Sequence, residues 1–177
     1  SKLLPGFSSL NTEKAMGLSQ EPQTNIQAFW VAAIRETFEE SGLLLCADPG
    51  NIPGHDQLAR WRRLINNNEI TFLRLCQQQG ISLAANQIQY HSHWITPPGH
   101  TRRYNTCFLV APAPRDQHVT HDNIEVIDSQ WIRPEDALEG KRAGNIPLVL
   151  PTIATLQSLC GHESRESLMQ ETISRGN

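Results

Sequence analysis

The stretch AAIRETFEESGLLL, residues 32–45, constrains the fold more than any other part of the chain. From about Thr24 to Ser41 the pattern is helical, with Trp30, Ile34 and Phe38 recurring every fourth residue along one stripe. At about 100° per residue, Glu40 lies roughly 40° to one side of Glu36 and Glu39 roughly 60° to the other. The three acids share the face opposite the apolar stripe, so burying the stripe presents them as a set. Gly42 then suits a helix C-terminal cap, and Leu43 to Leu45 suit a buried strand or extended segment.

Like charges at i,i+3 and i,i+4 cost a few tenths of a kcal/mol each when nothing neutralises them. A hard divalent cation reverses that sign, because Mg²⁺ takes oxygen ligands and commonly combines a few carboxylates with water and substrate phosphates. The plain alternative is a solvated acidic face. Arg35 stands i,i+4 to Glu39 and is placed to orient its carboxylate.

Elsewhere the chain alternates turn chemistry with short periodic segments. Residues 1–22 read as loop. The Asp48-Pro49-Gly50 and Pro53-Gly54 turns precede a helical region from about Asp56 to Gln79, broken near Asn66-Asn67-Asn68, in which Leu64, Ile70, Leu73 and Leu75 are candidates for a core. Three strand candidates follow: Gln87 to Thr96, Arg103 to Ala111, and Glu125 to Ile132. Alternation in the first sets Ile88, Tyr90 and Trp94 against Gln89, His91 and His93. Pro134 opens a short helix, Pro147 to Leu159 make another, and residues 161–177 form a polar tail expected to fray.

A chain of 177 residues suits one domain over 1–177, with 38% hydrophobic and 19% charged residues. The longest apolar runs fall short of the roughly 20 residues of a membrane span. A net charge of -3 without a Lys/Arg block excludes the footprint of a nucleic-acid binder. Arg102 and Arg103 flank a strand, placed for bidentate contact with a phosphate or as ordinary surface arginines. His91 and His93 lack a third ligand at close spacing for a metal site, and His121 with Asp122 offer little more. The four cysteines form no CxxC pair and read as thiols of a reducing, cytoplasmic compartment. Ser1-Lys2-Leu3 is no peroxisomal address, since that signal is read at a C-terminus. With no initiator Met and no signal-peptide pattern, the expectation is a processed, trimmed or partial chain.

Arg35-Glu36-Thr37-Phe38-Glu39-Glu40-Ser41-Gly42-Leu43 resembles the second half of the Nudix box, G-x5-E-x7-R-E-U-x-E-E-x-G-U, with U a bulky apolar residue. All its charged and glycine positions match; Thr37 stands where an apolar residue is usual. Counting back, the first half fails, with Gln27 at the box glutamate and Glu21 at its glycine. The segments AFWVAAIRETFEESGLLL, EITFLRLCQQQGISL, HWITPPGHTRRYNTCFLVAPAP, HDNIEVIDSQWIRPEDAL and NIPLVLPTIATL resemble, in order, the coenzyme A diphosphatase branch of that family, of the peroxisomal mammalian type and its bacterial relatives. In that branch an insertion interrupts the box. The resemblance covers about residues 26–160.

The resemblance implies an α/β (α+β) fold, an α/β/α sandwich with a mixed sheet, carrying an extra helical insertion at about 56–80. Residues 1–25 lack the family's first strands and FPGG-type turn. Either the insertion fills them or the product is truncated, and lost strands would leave an exposed sheet edge. It further implies hydrolysis of a small nucleotide-type substrate with Mg²⁺ or Mn²⁺ held by Glu36, Glu39 and Glu40. Glu39 or Glu40 is favoured as base, Arg35 as the residue orienting Glu39, and Glu125 as an outside candidate for base or metal ligand. Coenzyme A or its acyl esters are the implied substrates, with a nucleotide sugar or other dinucleotide as runner-up. From another class stands a non-catalytic or truncated Nudix-like domain that binds a nucleotide or a protein. The sequence carries no signal for a particular oligomeric state.

Overall fold

The structure, a computed structural model, describes residues 26–48, 50, 52–120 and 129–176. Their contacts fall into two compact units: the described residues up to Ile88 with those between Pro112 and Ser129, and Gln89–Ala111 with the residues from Gln130 onward.

In the first unit, helix α1 (Ile26–Ser41) packs by the expected stripe, with Trp30, Ile34 and Phe38 all buried. It stops at Gly42, whose φ of 76° is left-handed and whose N–H donates to the Phe38 carbonyl at 3.0 Å. The next four residues, Leu43 to Cys46, are buried and extended. Their backbone pairs with the segment around Leu83 through a single antiparallel bridge, Cys46 opposite Leu83, flanked by Ala47 N–H to Ser82 O at 2.8 Å and Ala84 N–H to Leu45 O at 3.1 Å.

Helix α2 (His55–Asn66) buries Leu58, Trp61, Arg62 and Ile65, an i, i+3, i+4, i+7 stripe that includes one charge. Asn68, with φ 58°, turns the chain toward helix α3 (Phe72–Gln79). Thr71 caps α3, its side chain accepting from the Arg74 N–H at 3.3 Å, and Gly80 closes it in the left-handed conformation. Of the expected core positions Leu75 is buried; Leu73 is exposed because α3 turns Phe72, Leu75 and Cys76 inward instead. The rings of Phe38 and Phe72 lie 6.2 Å apart, tying α3 to α1. A 3-10 turn, Ala85–Gln87, leads out of the unit.

The second unit holds strands β1 (Gln89–Ile95) and β2 (Asn105–Val110), antiparallel, with Gln89 opposite Val110 and Ile95 opposite Asn105. The register slips between Tyr90 and Ser92, so His91 is the extra residue of a β-bulge. That breaks the expected alternation. His91 bonds Ser158 at 2.7 Å and Ser92 lies 3.4 Å from Thr155, both partners on helix α5 (Leu150–Leu159), whereas His93 pairs with Asn105 on β2. Adjacent residues 91 and 92 thus face the same helix.

Helix α4 (Pro134–Arg142) starts on its proline with Glu135 and Asp136 in the first turn and ends on Lys141 and Arg142, as the helix dipole favours. The polar tail expected to fray forms helix α6 (Arg165–Gly176), which contacts β1. Ser164 caps it, its hydroxyl accepting from the Ser167 N–H at 3.1 Å.

Among the described residues the sheet is this antiparallel pair. The expected third strand does not form over 129–132, and its remaining residues, 125–128, lie outside the described residues, as do residues 1–25. No helix among the described residues is long and apolar enough to cross a membrane.

A Cβ added at Gly42 would lie 2.7 Å from the Thr120 hydroxyl oxygen. Gly42→Ala is therefore expected to cost about 1–3 kcal/mol, read as a lowered urea midpoint at unchanged slope. Burial pushes the Cys76 thiol from 9.0 up to about 12. The unfolded thiol ionises first, so this contribution to stability is complete below about pH 9 and is lost as pH rises toward about 12. Urea titrations between those limits should show stability falling with pH, less steeply in Cys76→Ala.

Candidate active site

The acids of α1 line an open cleft of about 520 Å³. Arg35, Glu36, Glu39 and Glu40 form its floor. The far wall comes from the end of α2, the turn through Asn68 and Ile70, and the start of α3 at Thr71 and Phe72. The helical insertion foreseen at about 56–80 therefore has a definite place, facing the carboxylates. The left-handed Asn68 and the Thr71 cap shape the turn that closes the wall.

Arg35 donates from Nη1 to Glu39 Oε2 at 2.8 Å and from Nη2 to Glu36 Oε1. Glu39 is the more sheltered acid, its side chain 20% exposed against 46% for Glu36. Three carboxylates against one guanidinium leave the cleft with excess negative charge, which attracts a cation and repels an unaccompanied phosphate.

The backbone beneath these acids is held by Arg62, only 7% exposed. Its Nε donates to the Glu39 carbonyl at 2.7 Å and its Nη2 to the Glu40 carbonyl. Its Nη1 donates to the Thr120 carbonyl at 2.6 Å and hydroxyl at 3.0 Å, while the Thr120 N–H donates to the Ser41 carbonyl at 2.9 Å. The last carbonyls of a helix have no intrahelical partner, so a cation placed there satisfies them and complements the dipole. The sequence reading overlooked Arg62; the signal available was a charge within the apolar stripe of α2.

Carboxylate oxygens are the hard donors that Mg²⁺ or Mn²⁺ prefers, so the three acids lining the cleft fit such an ion in donor type. Arg35 holds two of them, and among the described residues no three His, Cys, Asp or Glu side chains already converge as a metal site.

Arg102 and Arg103 are exposed in the connection between β1 and β2, within the second unit, and Arg103 Nε donates to the Thr96 carbonyl at 3.1 Å. Glu125, His121 and Asp122 lie outside the described residues.

A family model described as the NUDT19 Nudix domain matches residues 6–159, starting earlier than the resemblance read from the sequence. The chain is 34% identical over 161 residues to the acyl-coenzyme A diphosphatase NUDT19 of Gallus gallus, covering 80% of this chain and 43% of that protein. The protein of the same name from Homo sapiens is 31% identical over 161 residues, covering 84% and 43%. The chain thus spans less than half the length of these relatives. A crystal structure of a NUDIX hydrolase from Alicyclobacillus acidocaldarius superposes with a TM-score of 0.62 at 21% identity, over 95% of this chain and 77% of that one, a likeness of fold.

Because Arg35 and Glu36 are about half exposed, their ion pair adds little to folding. Arg35→Ala is expected to change stability by no more than about 1 kcal/mol in urea unfolding, and by less at high salt.

Proposed function

The chain belongs to the NUDT19 Nudix domain family, and from that membership we propose that it is a metal-dependent hydrolase cleaving the pyrophosphate of coenzyme A or its acyl esters to 3',5'-ADP and a 4'-phosphopantetheine product. The observation that carries the reading is the cleft in which Glu36, Glu39 and Glu40 of one helix turn stand together beside Arg35. The substrate class is supported by the printed activity of relatives about a third identical to the chain, and by segments 26–160.

Glu36, Glu39 and Glu40 would hold Mg²⁺ or Mn²⁺, as Nudix hydrolases use divalent ions, and the bound ion would neutralise charge on the pyrophosphate and acidify a water. Arg35 sets the rotamer of Glu39. Glu39 or Glu40 takes the proton from the water that attacks phosphorus, and the pyrophosphate P–O bond breaks to release the second phosphorylated product. Glu125 is the remaining candidate for base or ligand. Arg102 and Arg103 would bind a substrate phosphate by bidentate contacts. The family match runs through both compact units, which supports reading residues 1–177 as one domain. Free Cys46, Cys76, Cys107 and Cys160 support a reducing, cytoplasmic setting.

One residue favours a second reading. Gln27 occupies the position of the first box glutamate, as in a domain that binds a nucleotide without cleaving it.

Purified protein incubated with coenzyme A, an acyl ester and several dinucleotides, with and without Mg²⁺ or Mn²⁺, is expected to release 3',5'-ADP from the first two. Glu40→Gln should lower that rate about 10²- to 10⁴-fold. Absence of turnover for every substrate, with the circular dichroism of a folded protein, would leave the binding-domain reading.

A further inference from the structure

We infer that Arg62 is a positioning residue for the acid cluster, fixing Glu39 and Glu40 through their main-chain carbonyls; the inference rests on the metal-dependent reading above. Two neighbouring carbonyls of the acid-bearing turn and the Thr120 carbonyl all receive the same guanidinium, at 2.7 Å for Glu39 and 2.6 Å for Thr120. The fork is planar and rigid, so its separate nitrogens hold those carbonyls at set angles. Fixing two consecutive peptide units fixes the directions in which the Glu39 and Glu40 side chains leave the helix.

The same side chain springs from α2, whose next turn supplies Ile65 and Asn66 to the cleft. Arg62 therefore sets the spacing between the carboxylate floor and the wall facing it. A solely structural cap would stabilise α1 wherever its acids pointed. Here the capped residues are themselves the acids, one of them already oriented on its other side by Arg35. Lysine keeps the charge but offers one nitrogen, which cannot span Glu39, Glu40 and Thr120 together.

The test compares Arg62→Lys with Leu58→Ala, a buried change on α2 that touches neither carbonyl and serves as a control of lowered stability. Mn²⁺ affinity is measured on the metal-free full chain by electron paramagnetic resonance, and kcat and KM for coenzyme A by release of 3',5'-ADP. Arg62→Lys should bind Mn²⁺ about 10-fold more weakly, as loss of groups supporting metal ligands does. Its kcat should fall about 10- to 100-fold with KM nearly unchanged, since misplacement of reacting groups acts on the chemical step. Leu58→Ala should keep both parameters at matched loss of thermal stability. Equal Mn²⁺ affinity in Arg62→Lys and Leu58→Ala would overturn the inference. Should Arg62→Lys not fold, Thr120→Val, which removes only the hydroxyl acceptor, is compared with Leu58→Ala under the same criterion. A wild-type chain that binds Mn²⁺ but hydrolyses nothing would sink the proposed reaction, while the affinity comparison still decides the role of Arg62.

Discussion

A buried guanidinium at the end of a helix organises the first unit. Taking Arg62 out of water is costly unless its donors are satisfied, and the unpaired carbonyls of a helix C-terminus offer partners whose dipole already favours a cation. The solution fastens three parts of the chain at once: the end of α1, the middle of α2, and the segment at Thr120. The close approach of Thr120 to Gly42 follows from that junction, which leaves no space for a side chain at residue 42.

The cleft is a product of packing as much as of charge. Phe38 lies on the buried side of α1, and its contact with Phe72 brings the start of α3 over the acids carried on the other side. Apolar burial thus sets the width of a polar site. Arg35 then shares its charge between Glu36 and Glu39, which moderates the repulsion among the carboxylates.

What was legible in the sequence was local. The i,i+4 stripe of α1, the acids opposite it, the Gly42 stop and the break near Asn66 each depend on residues close in the chain, and each stands where the pattern put it. Features set by tertiary partners were not. A one-residue bulge at His91 turns His91 and Ser92 toward the same helix and defeats a count by twos. Contact of α6 with β1 and the Ser164 cap order a tail whose polarity alone suggested fraying. Arg62 is not singled out by sequence because its partners are main-chain atoms far away, which side-chain patterns do not reveal.

The hydrogen bonds of Leu44 bear on when the site takes shape. Its N–H donates to Gln117 Oε1 at 2.7 Å and its carbonyl accepts from Gln117 Nε2 at 3.0 Å, so a side-chain amide completes a buried backbone as a neighbouring strand would. Arg62 likewise waits for Thr120. During synthesis the helix that carries the acids leaves the ribosome long before either partner exists. Its apolar stripe can collapse early, yet the turn bearing Glu39 and Glu40 acquires its full set of bonds only after the chain has passed residue 120. Completing the acidic floor therefore carries the entropy cost of closing long loops, which the winding of α1 does not.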